Sequence, residues 1–408
     1  MEIEYHWFVG IDWATEKNDV CIVDSKGVRK AEFQFPNSPE GMSTLCNTLS
    51  DSCAGNIDLM AVSIEIPHGA IVECLSDRGF HVFSINPKQL DRFRDRHCPA
   101  GSKDDKLDAF VLADSVRTDI HCFRRVKIQA ADMIILRELA RLLGDLGETR
   151  NRLTNRLRQQ IFRFAPHLLE LSPSADEGWF WSLLERKLNT SDTKSMSVKD
   201  ITKILKTHRI RKITGSDAFL VLQKPYLHVA PGTVMAATRH IRALVEQLRL
   251  IQDQHRQVKA ELEEVMENLS QPCEGGEHRD AAIIVSLPGV GSIVAATILS
   301  EASQAIAERD YAALRAHAGV APVTKRSGKR LNVIMRKACN DRLRNALYHW
   351  CRVSVQKDPV SRAKYAAMRA KGHSHGRALR TVGDANLRLL FGMLKSNSIF
   401  DPERRAVA

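Results

Sequence analysis

The first 128 residues alternate between short apolar segments and polar turns, which predicts a mixed α/β domain. A short helix is expected from Pro39, a second between the last two strands, and a third from about Asp104. Because three strands precede the alternation of strands and helices, the first three are expected to pair antiparallel. Five segments have the pattern of strands: 5–13, 19–24, 28–35, 57–65 and 81–86.

Two long heptad patterns predict a helical middle region that forms a coiled coil, either within the chain or between chains. At 1.5 Å per residue, each helix would reach roughly 50 Å. The polar stretch 171–230 between them is expected to be a small inserted unit. The first stripe is Leu136, Leu139, Leu143, Leu146, Leu153, Leu157 and Phe164. The second is Val234, Ile241, Leu244, Leu248, Ile251, Val258, Leu262, Val265 and Leu269.

A loop with Pro272 and two glycines at 275–276 precedes a C-terminal region expected to be mostly helical. Its segment 286–296 has the pattern of a helix, a tight glycine turn and a second helix. The predicted domains are therefore 1–128, 129–274 with an insert at about 171–230, 275–400, and a tail at 401–408.

The charge distribution predicts a nucleic-acid contact in the C-terminal third. The 408-residue chain has a net charge of +12, and residues 321–382 hold 16 Lys/Arg against 2 Asp/Glu. Binding through such a region would depend strongly on salt, because cations on the protein release counterions from phosphates. The nine cysteines are scattered without a C-x-x-C pair, and the chain begins with an acidic rather than a basic segment. These features predict a cytoplasmic protein.

Four carboxylates are candidates for a metal site. Asp12 and Glu65 end the first and fourth predicted strands, which are neighbours in a ribonuclease-H-like sheet of this element order. Asp105 and Asp108 share a face at the start of a helix, and Asp104 competes with Asp105 for the third position. Converging carboxylates suit Mg²⁺, or Mn²⁺. The alternative is that the aspartates only cap a helix.

Ser327 lies in a cationic segment predicted to be a loop. A serine hydroxyl needs activation to act as a nucleophile, and nearby cations could position a phosphate and offset its developing charge. The alternative is a loop that only contacts phosphates. The neighbouring cations are Lys325, Arg326, Lys329 and Arg330, and a helix is expected to present Arg336, Lys337, Arg342 and Arg344.

Two further features suggest nucleic-acid contacts. Gly289 and Gly291 lie in a Pro-Gly-Val-Gly turn whose backbone N–H groups could hold a phosphate, although a plain tight helix turn would have the same sequence. His373 and His375 lack a further ligand cluster and are expected to contact nucleic acid rather than metal.

The order of these motifs resembles that of the DEDD-type insertion-sequence transposases, also described as bridge-RNA-guided recombinases. The resemblance covers about residues 7–128 and 280–395. Its motifs are Val9–Asp12, Ile64-Glu65, Lys103–Ala109, Leu287–Gly291, Ala318–Pro322 and Arg326–Gly328.

The resemblance implies a RuvC-like N-terminal domain, with the acid set at Asp12, Glu65, Asp105 and Asp108, and Ser327 as the nucleophile. It also implies a noncoding bridge RNA that pairs with donor and target DNA. Dimers are expected to join into a tetramer, and acids of one subunit would meet the serine of another. The expected chemistry is cutting and rejoining of DNA through a phosphoserine link, with Mg²⁺ at the acids.

Two other functions fit parts of the sequence. One is a metal-dependent endonuclease, such as a Holliday-junction resolvase, in which water attacks and Ser327 is structural. The other is a non-catalytic architectural protein that binds DNA or RNA, although four inward-facing acids would be unfavourable for a protein that only binds polyanions.

Overall fold

The computed structural model describes residues 3–65, 69–97, 104–126, 130–189, 196–272, 279–328 and 330–407. The chain divides into two compact units, Met1–Gln129 and Ala130–Ala408. The predicted domain boundaries at 128/129 and 274/275 lie outside the described residues. Among the described residues, no helix has the length and apolar character needed to cross a bilayer.

The first unit is built on one mixed sheet, and its five predicted strands are confirmed. The sheet order is β3-β2-β1-β4-β5-β6. β1 pairs antiparallel with β2 and parallel with β4, and β5 is parallel to β4. The short strand β6, which has two residues, was not predicted. The strands are β1 (Trp7–Asp12), β2 (Lys17–Asp24), β3 (Arg29–Pro36), β4 (Met60–Ile64), β5 (His81–Ser84) and β6 (Arg124–Arg125).

Helices cover both faces of this sheet. Because side chains of a strand alternate between faces, Val9 and Ile11 of β1 enter one apolar core, whereas Phe8 enters the other. The second core also contains Leu112 of the last helix. Short 3-10 helices lie at Ile57–Leu59 and Ile120–Cys122. The helices are α1 (Pro39–Ser52), α2 (Ala70–Asp77), α3 (Pro87–His97) and α4 (Asp105–Asp119).

The second unit contains two long helices, α5 (Ala131–Phe162) and α9 (Pro231–Ser270), which pack against each other within the chain. Leu143 shares a core with Leu262, and Leu157 shares another with Ile241. The beginning of α5 therefore lies against the end of α9, and the pair is antiparallel. The heptad pattern predicted these helices because leucine at this spacing forms one apolar stripe.

Three helices form the insert at one end of the pair: α6 (Gly178–Asn189), α7 (Val198–Thr207) and α8 (Gly215–Leu222). A 3-10 helix at Pro166–Glu170 precedes them. The core at this end also takes in the aromatic run at 179–181, which is fully buried.

The remaining elements pack at the other end of the helix pair and share its core. They confirm the expectation of a mostly helical C-terminal region. The helices are α10 (Asp280–Ser286), α11 (Ser292–Glu301), α12 (Ser303–Ala307), α13 (Tyr311–His317), α14 (Asp341–Lys357), α15 (Pro359–Ala370), α16 (His375–Ser396) and α17 (Pro402–Val407). A two-stranded hairpin of β7 (Val323–Ser327) and β8 (Arg330–Ile334) interrupts them.

Two predictions of local structure in this region are wrong. The cationic segment around Ser327 is not a loop, because Val323–Ser327 pairs antiparallel with Arg330–Ile334. Arg336 and Lys337 are not helical, because α14 begins only at Asp341, where the Asn340 side chain accepts a hydrogen bond from the backbone N–H of Leu343. The N-cap therefore excludes both cations from the helix.

Candidate functional site

Asp12 and Glu65 lie at the same edge of the sheet because β1 and β4 are parallel neighbours. Ile11 is opposite Ile64 in their register, so Asp12, the last residue of β1, lies level with Glu65, the residue that follows β4. A cleft of about 260 Å³ at this edge is lined by both acids, by Asp105 and Asp108, and by four apolar or small residues and two further charged ones. The structure thus brings the four predicted acids to one cleft.

A glycine in β1 allows α4 to supply the other two acids. A Cβ atom on Gly10 would lie 1.9 Å from the carbonyl oxygen of Ala109 and 2.5 Å from the backbone nitrogen of Ala113. Only a residue without a side chain permits this approach of helix to strand. The close packing places the first turn of α4, with Asp105 and Asp108, beside the end of β1.

The competing aspartates differ in position. Asp104 is the N-cap residue of α4 and makes no side-chain capping bond, while Asp105 lines the cleft. Asp108 is also in the first turn of the helix, where the helix dipole favours a carboxylate. Both residues of the predicted pair therefore face the acids from the sheet, whereas Asp104 does not line the cleft.

The acids repel one another. Burial raises the pKa of the Asp12 carboxyl, and the charges of Asp108, Asp105, Glu65 and Asp19 add to that effect, so that together they raise it from 3.8 to about 7. A carboxylate set that resists ionisation in this way is stabilised by a bound cation. Its hard oxygen donors fit Mg²⁺ or Mn²⁺.

Arg94 on α3 also lines the cleft, and the sequence did not predict this residue. Its Nε and Nη2 atoms donate to the two carboxylate oxygens of Asp108 at 2.5 and 2.9 Å, and its Nη1 donates to Asp91 at 2.9 Å. Asp108 is only 3% exposed, so this bidentate pair is largely desolvated. The guanidinium group is therefore the internal counter-charge of the acid cleft.

A second group of ligand-type side chains follows α4. One ligand atom each from Asp119, His121 and Cys122 lies within 4.8 Å of the others, and among the described residues no three of the four cleft acids meet that distance. The Asp119 carboxylate also accepts a hydrogen bond from the Thr118 hydroxyl at 2.7 Å. This group was not predicted from the sequence, because its three residues follow no familiar metal-binding spacing.

Ser327 lies at the tip of the β7–β8 hairpin and is exposed. It is opposite Arg330 in the register, and Gly328 adopts a φ of +54° in the turn between them. Because side chains alternate along a strand, Lys325 shares the face of Ser327, whereas Arg326 is on the opposite face. Lys329 and the side chain of Arg330 lie outside the described residues.

The two glycines of the Pro-Gly-Val-Gly turn have different surroundings. Gly289 has a φ of +84°, and a Cβ atom there would lie 2.9 Å from the backbone nitrogen of Ser354. The Trp350 indole N–H donates to the carbonyl oxygen of Pro288 at 3.0 Å, which holds the turn against α14. Gly291 has nothing within 4 Å of its Cβ position. The first glycine is thus required for packing, and only the second faces open space.

Several predicted cations already have partners within the chain. Arg336 donates to the carbonyl oxygen of Ala321 at 3.2 Å, while Lys337 is exposed. Arg342 and Arg344 are on α14 as expected, at 3.0 and 2.9 Å from carboxylate oxygens of Asp145 and Asp341. His375 Nδ1 lies 2.7 Å from the Tyr365 hydroxyl. The carbonyl oxygen of His373 accepts a hydrogen bond from the Arg369 guanidinium at 2.7 Å.

Comparison with known proteins gives two family matches. A model of the IS110 DEDD type, described as "Transposase", matches residues 9–166. A second, "Transposase IS116/IS110/IS902 family", matches residues 281–366. The first covers the acid cleft, and the second covers the glycine turn and the Ser327 hairpin.

Curated relatives agree with these matches. The putative transposase y4uE of Sinorhizobium fredii is 42% identical over 213 residues, which span 52% of this chain and 59% of that protein. The mini-circle putative transposase for IS117 of Streptomyces coelicolor is 29% identical, over 97% of this chain and 96% of the relative. An IS110 protein of 43.6 kDa from Streptomyces coelicolor is 26% identical over 97% of the chain and 95% of its own length.

The two matched segments and the full-length relatives lead to the same conclusion: the chain carries transposase domains of the IS110/IS116/IS902 family.

Proposed function

We propose that the protein cuts donor and target DNA and rejoins them through a phosphoserine intermediate formed by Ser327. The observation that carries this proposal is the convergence of Asp12, Glu65, Asp105 and Asp108 on one cleft of a sheet with ribonuclease-H-like (RuvC-like) strand order. The exposed position of Ser327 beside Lys325 supports its role, because a DNA backbone can reach the hydroxyl.

The chemistry conserves the energy of the broken bond. The Ser327 hydroxyl loses its proton as its oxygen attacks phosphorus, the bond from phosphorus to the 3′-oxygen breaks, and the released 3′-oxygen takes up a proton, so that no net proton is gained or lost. In rejoining, a 3′-hydroxyl attacks the phosphoserine and restores the serine. The four acids would hold Mg²⁺, or Mn²⁺, which supplies charge neutralisation for phosphoryl transfer when bound.

Other residues would hold the DNA backbone rather than react. In this proposal the acids belong to a domain at 1–128, the helical region is 129–274, and the C-terminal domain is 275–400. Lys325 shares the face of the serine and would contact the phosphate under attack. The candidate nucleic-acid contacts are Gly289, Gly291, Lys325, Arg326, Lys329, Arg330, Arg336 and Lys337.

The choice of DNA sequence is assigned to a noncoding bridge RNA, and the assembly to dimers that join into a tetramer. This part of the proposal is supported only by the family resemblance. Purification from cells that carry the native locus, followed by sequencing of co-purified RNA, tests the guide. If no RNA from that locus co-purifies, the guided mechanism is wrong. Light scattering of the complex with donor and target DNA tests the tetramer.

The serine is tested by trapping the covalent intermediate. Full-length protein loaded with its co-purified RNA is mixed with labelled donor and target DNA, and adducts are resolved on a denaturing gel. We expect wild type to give an adduct that mass spectrometry locates at Ser327, and Ser327→Ala to give none. Thr324→Ala, on the opposite face of the hairpin, is the matched control and should retain the adduct.

A metal-dependent endonuclease or Holliday-junction resolvase is the second candidate. It is favoured by one observation, which is that the four acids lie together within the first unit and require nothing from Ser327 to activate water. In that case Ser327→Ala would still cut DNA, whereas Asp12→Asn would not. Cleavage by the serine variant would therefore reject the phosphoserine mechanism and support this one.

A further inference from the structure

Helix α7 of the insert presents a stripe of lysines to solvent. Lys199, Lys203 and Lys206 are spaced i, i+4 and i+7, so they share one face of the helix, and all three are exposed. Ile201 and Leu205 bury the opposite face. Like charges at this spacing destabilise a helix, so the stripe is unfavourable for folding unless it has a partner of opposite charge.

The nearby carboxylate of Asp200 offsets this stripe only in part, through the charge of Lys203. Asp200 is the only acidic residue between positions 197 and 212. Its Oδ2 accepts hydrogen bonds from the Ser197 hydroxyl at 2.7 Å and the Ser197 backbone N–H at 3.2 Å, in a capping box. Its Oδ1 accepts a bond from Arg186 at 3.0 Å. The carboxylate therefore belongs to the helix cap, and the described ion pairs do not include the three lysines.

Arg209, which follows the C-cap residue of α7, has an unfavourable backbone conformation. Arg209 has a φ of +54°, with hydrogen bonds from its own N–H to the carbonyl of Lys206 and from the Ile210 N–H to that of Leu205. This is the Schellman arrangement that ends many helices, and its left-handed position strongly favours glycine. An arginine here is conformationally strained. Ala54 and Ala175 show that the chain tolerates this strain without a polar side chain, but an arginine side chain can also serve a purpose of its own.

Arg309 shows what such a purpose can be. It occupies the equivalent left-handed position after α12, with a φ of +52°. Its guanidinium group donates to both carboxylate oxygens of Asp280 at 2.7 Å, so a bidentate ion pair explains the arginine. Arg209 is exposed, and no described contact explains its side chain in the same way.

We propose that these residues form a second DNA-binding surface, the α7 cationic surface, which contacts the phosphate backbone of duplex DNA. It comprises Lys199, Lys203, Lys206, Arg209 and Arg211, all exposed. Residues 197–211 contain no Phe, Tyr or Trp, so the surface lacks the aromatic platforms that bind unpaired bases. Duplex DNA is the polyanion that a transposase must engage, and its backbone presents a dense row of negative charges.

The salt dependence of binding tests the surface. Affinity of the full-length protein for a duplex DNA of random sequence is measured over a range of salt, without divalent cations. We expect the triple variant K199Q/K203Q/K206Q to lower the slope of log affinity against log salt by about 3, close to 0.9 for each lost phosphate contact. An unchanged slope would overturn the proposal.

A matched control removes three cations that already have partners. Lys224, Arg256 and Lys259 each lie within 3.5 Å of a carboxylate oxygen. The first two are exposed and Lys259 is half-buried. K224Q/R256Q/K259Q changes the net charge by the same amount, so it should lower the slope by less than about 1. If both triple variants lower the slope equally, only net charge matters and the α7 cationic surface is not a site.

Arg209→Gly separates binding from folding. Glycine relieves the left-handed backbone, so the midpoint of thermal unfolding should rise while the affinity for duplex DNA falls severalfold; Arg209→Lys should keep most of the affinity. A more stable glycine variant with unchanged affinity would show that the side chain has no role in binding.

Binding to duplex RNA of the same length tests whether the surface contacts the phosphate backbone of DNA or that of RNA. If the lysine variant lowers the affinity for duplex RNA and leaves that for duplex DNA unchanged, the assignment to DNA is wrong. An equal loss for both duplexes supports a backbone contact that includes DNA.

Discussion

Neutralising Asp12 should stabilise the metal-free protein at alkaline pH and abolish its response to metal. The pKa of this carboxyl is raised from 3.8 to about 7, chiefly by burial and then by the neighbouring acids. A folded-state pKa above the unfolded value means that the native state holds the proton more tightly. The resulting stability is fully present below about pH 4 and is lost as the pH rises through about 7.

The size of the effect follows from the shift. A difference of about 3 pKa units corresponds to about 4 kcal/mol. Asp12 is only half-buried, so solvent screening reduces this to about 2 kcal/mol. Asp12→Asn keeps the size of the side chain and removes its charge. We therefore expect the variant to exceed wild type in unfolding free energy by about 2 kcal/mol at pH 8 and to match it near pH 4.

Amide hydrogen exchange of peptides from residues 7–24, in the presence of a chelator, measures this difference at each pH. Comparison of variant and wild type at the same pH cancels the intrinsic exchange rate. Asp51→Asn, an exposed change on α1, is the control and should match wild type at both pH values. Mg²⁺ should then stabilise wild type at pH 8 and have no effect on Asp12→Asn. A stability difference that is equal at the two pH values would refute the reasoning.

Three further changes test other parts of the structure. Arg94→Gln leaves the buried charge of Asp108 without its partner, so the free energy of unfolding of the metal-free protein should fall by about 3 kcal/mol. Mn²⁺ should then raise the melting temperature of the variant more than that of wild type. A smaller response to Mn²⁺ would contradict the counter-charge role of Arg94. Gly289→Ala should lower the free energy of unfolding by about 2 kcal/mol in denaturant, because the backbone at Gly289 is left-handed and packs on α14. Gly291→Ala should leave that free energy nearly unchanged. Equal effects of the two changes would show that the packing is not the cause. Leu157→Ala, at a fully buried position between α5 and α9, should cost about 3 kcal/mol in the same assay, and a loss below about 1 kcal/mol would argue against a tight core there.

The acid cleft was largely predictable because it follows from sheet topology. Strand patterns placed Asp12 and Glu65 at strand ends, and parallel neighbouring strands bring such ends together. Arg94 was not predictable. Its helix has one buried residue, Leu90, so the pattern contains no apolar stripe, and the pairing with Asp108 depends on how α3 packs against α4.

The hairpin at Ser327 escaped prediction for a different reason. Strands are recognised by one apolar face, and β7 has only exposed side chains after its half-buried first residue, Val323. Its alternation therefore gives no hydrophobic signal, and the cationic residues resemble those of a loop. The difference matters for function, because a strand fixes which cation shares the face of Ser327, whereas a loop would leave Lys325 and Arg326 equivalent.

The antiparallel pair of α5 and α9 has a further consequence, since it joins two cores at opposite ends. The length of this pair sets the distance between the insert and the C-terminal helices. Loss of seven residues from each helix would keep the same faces in contact and shorten that distance by about 10 Å, close to three base pairs of duplex DNA at 3.4 Å each. If the insert and the C-terminal region both contact one duplex, as proposed, the spacing of those two contacts can change only in steps of whole heptads.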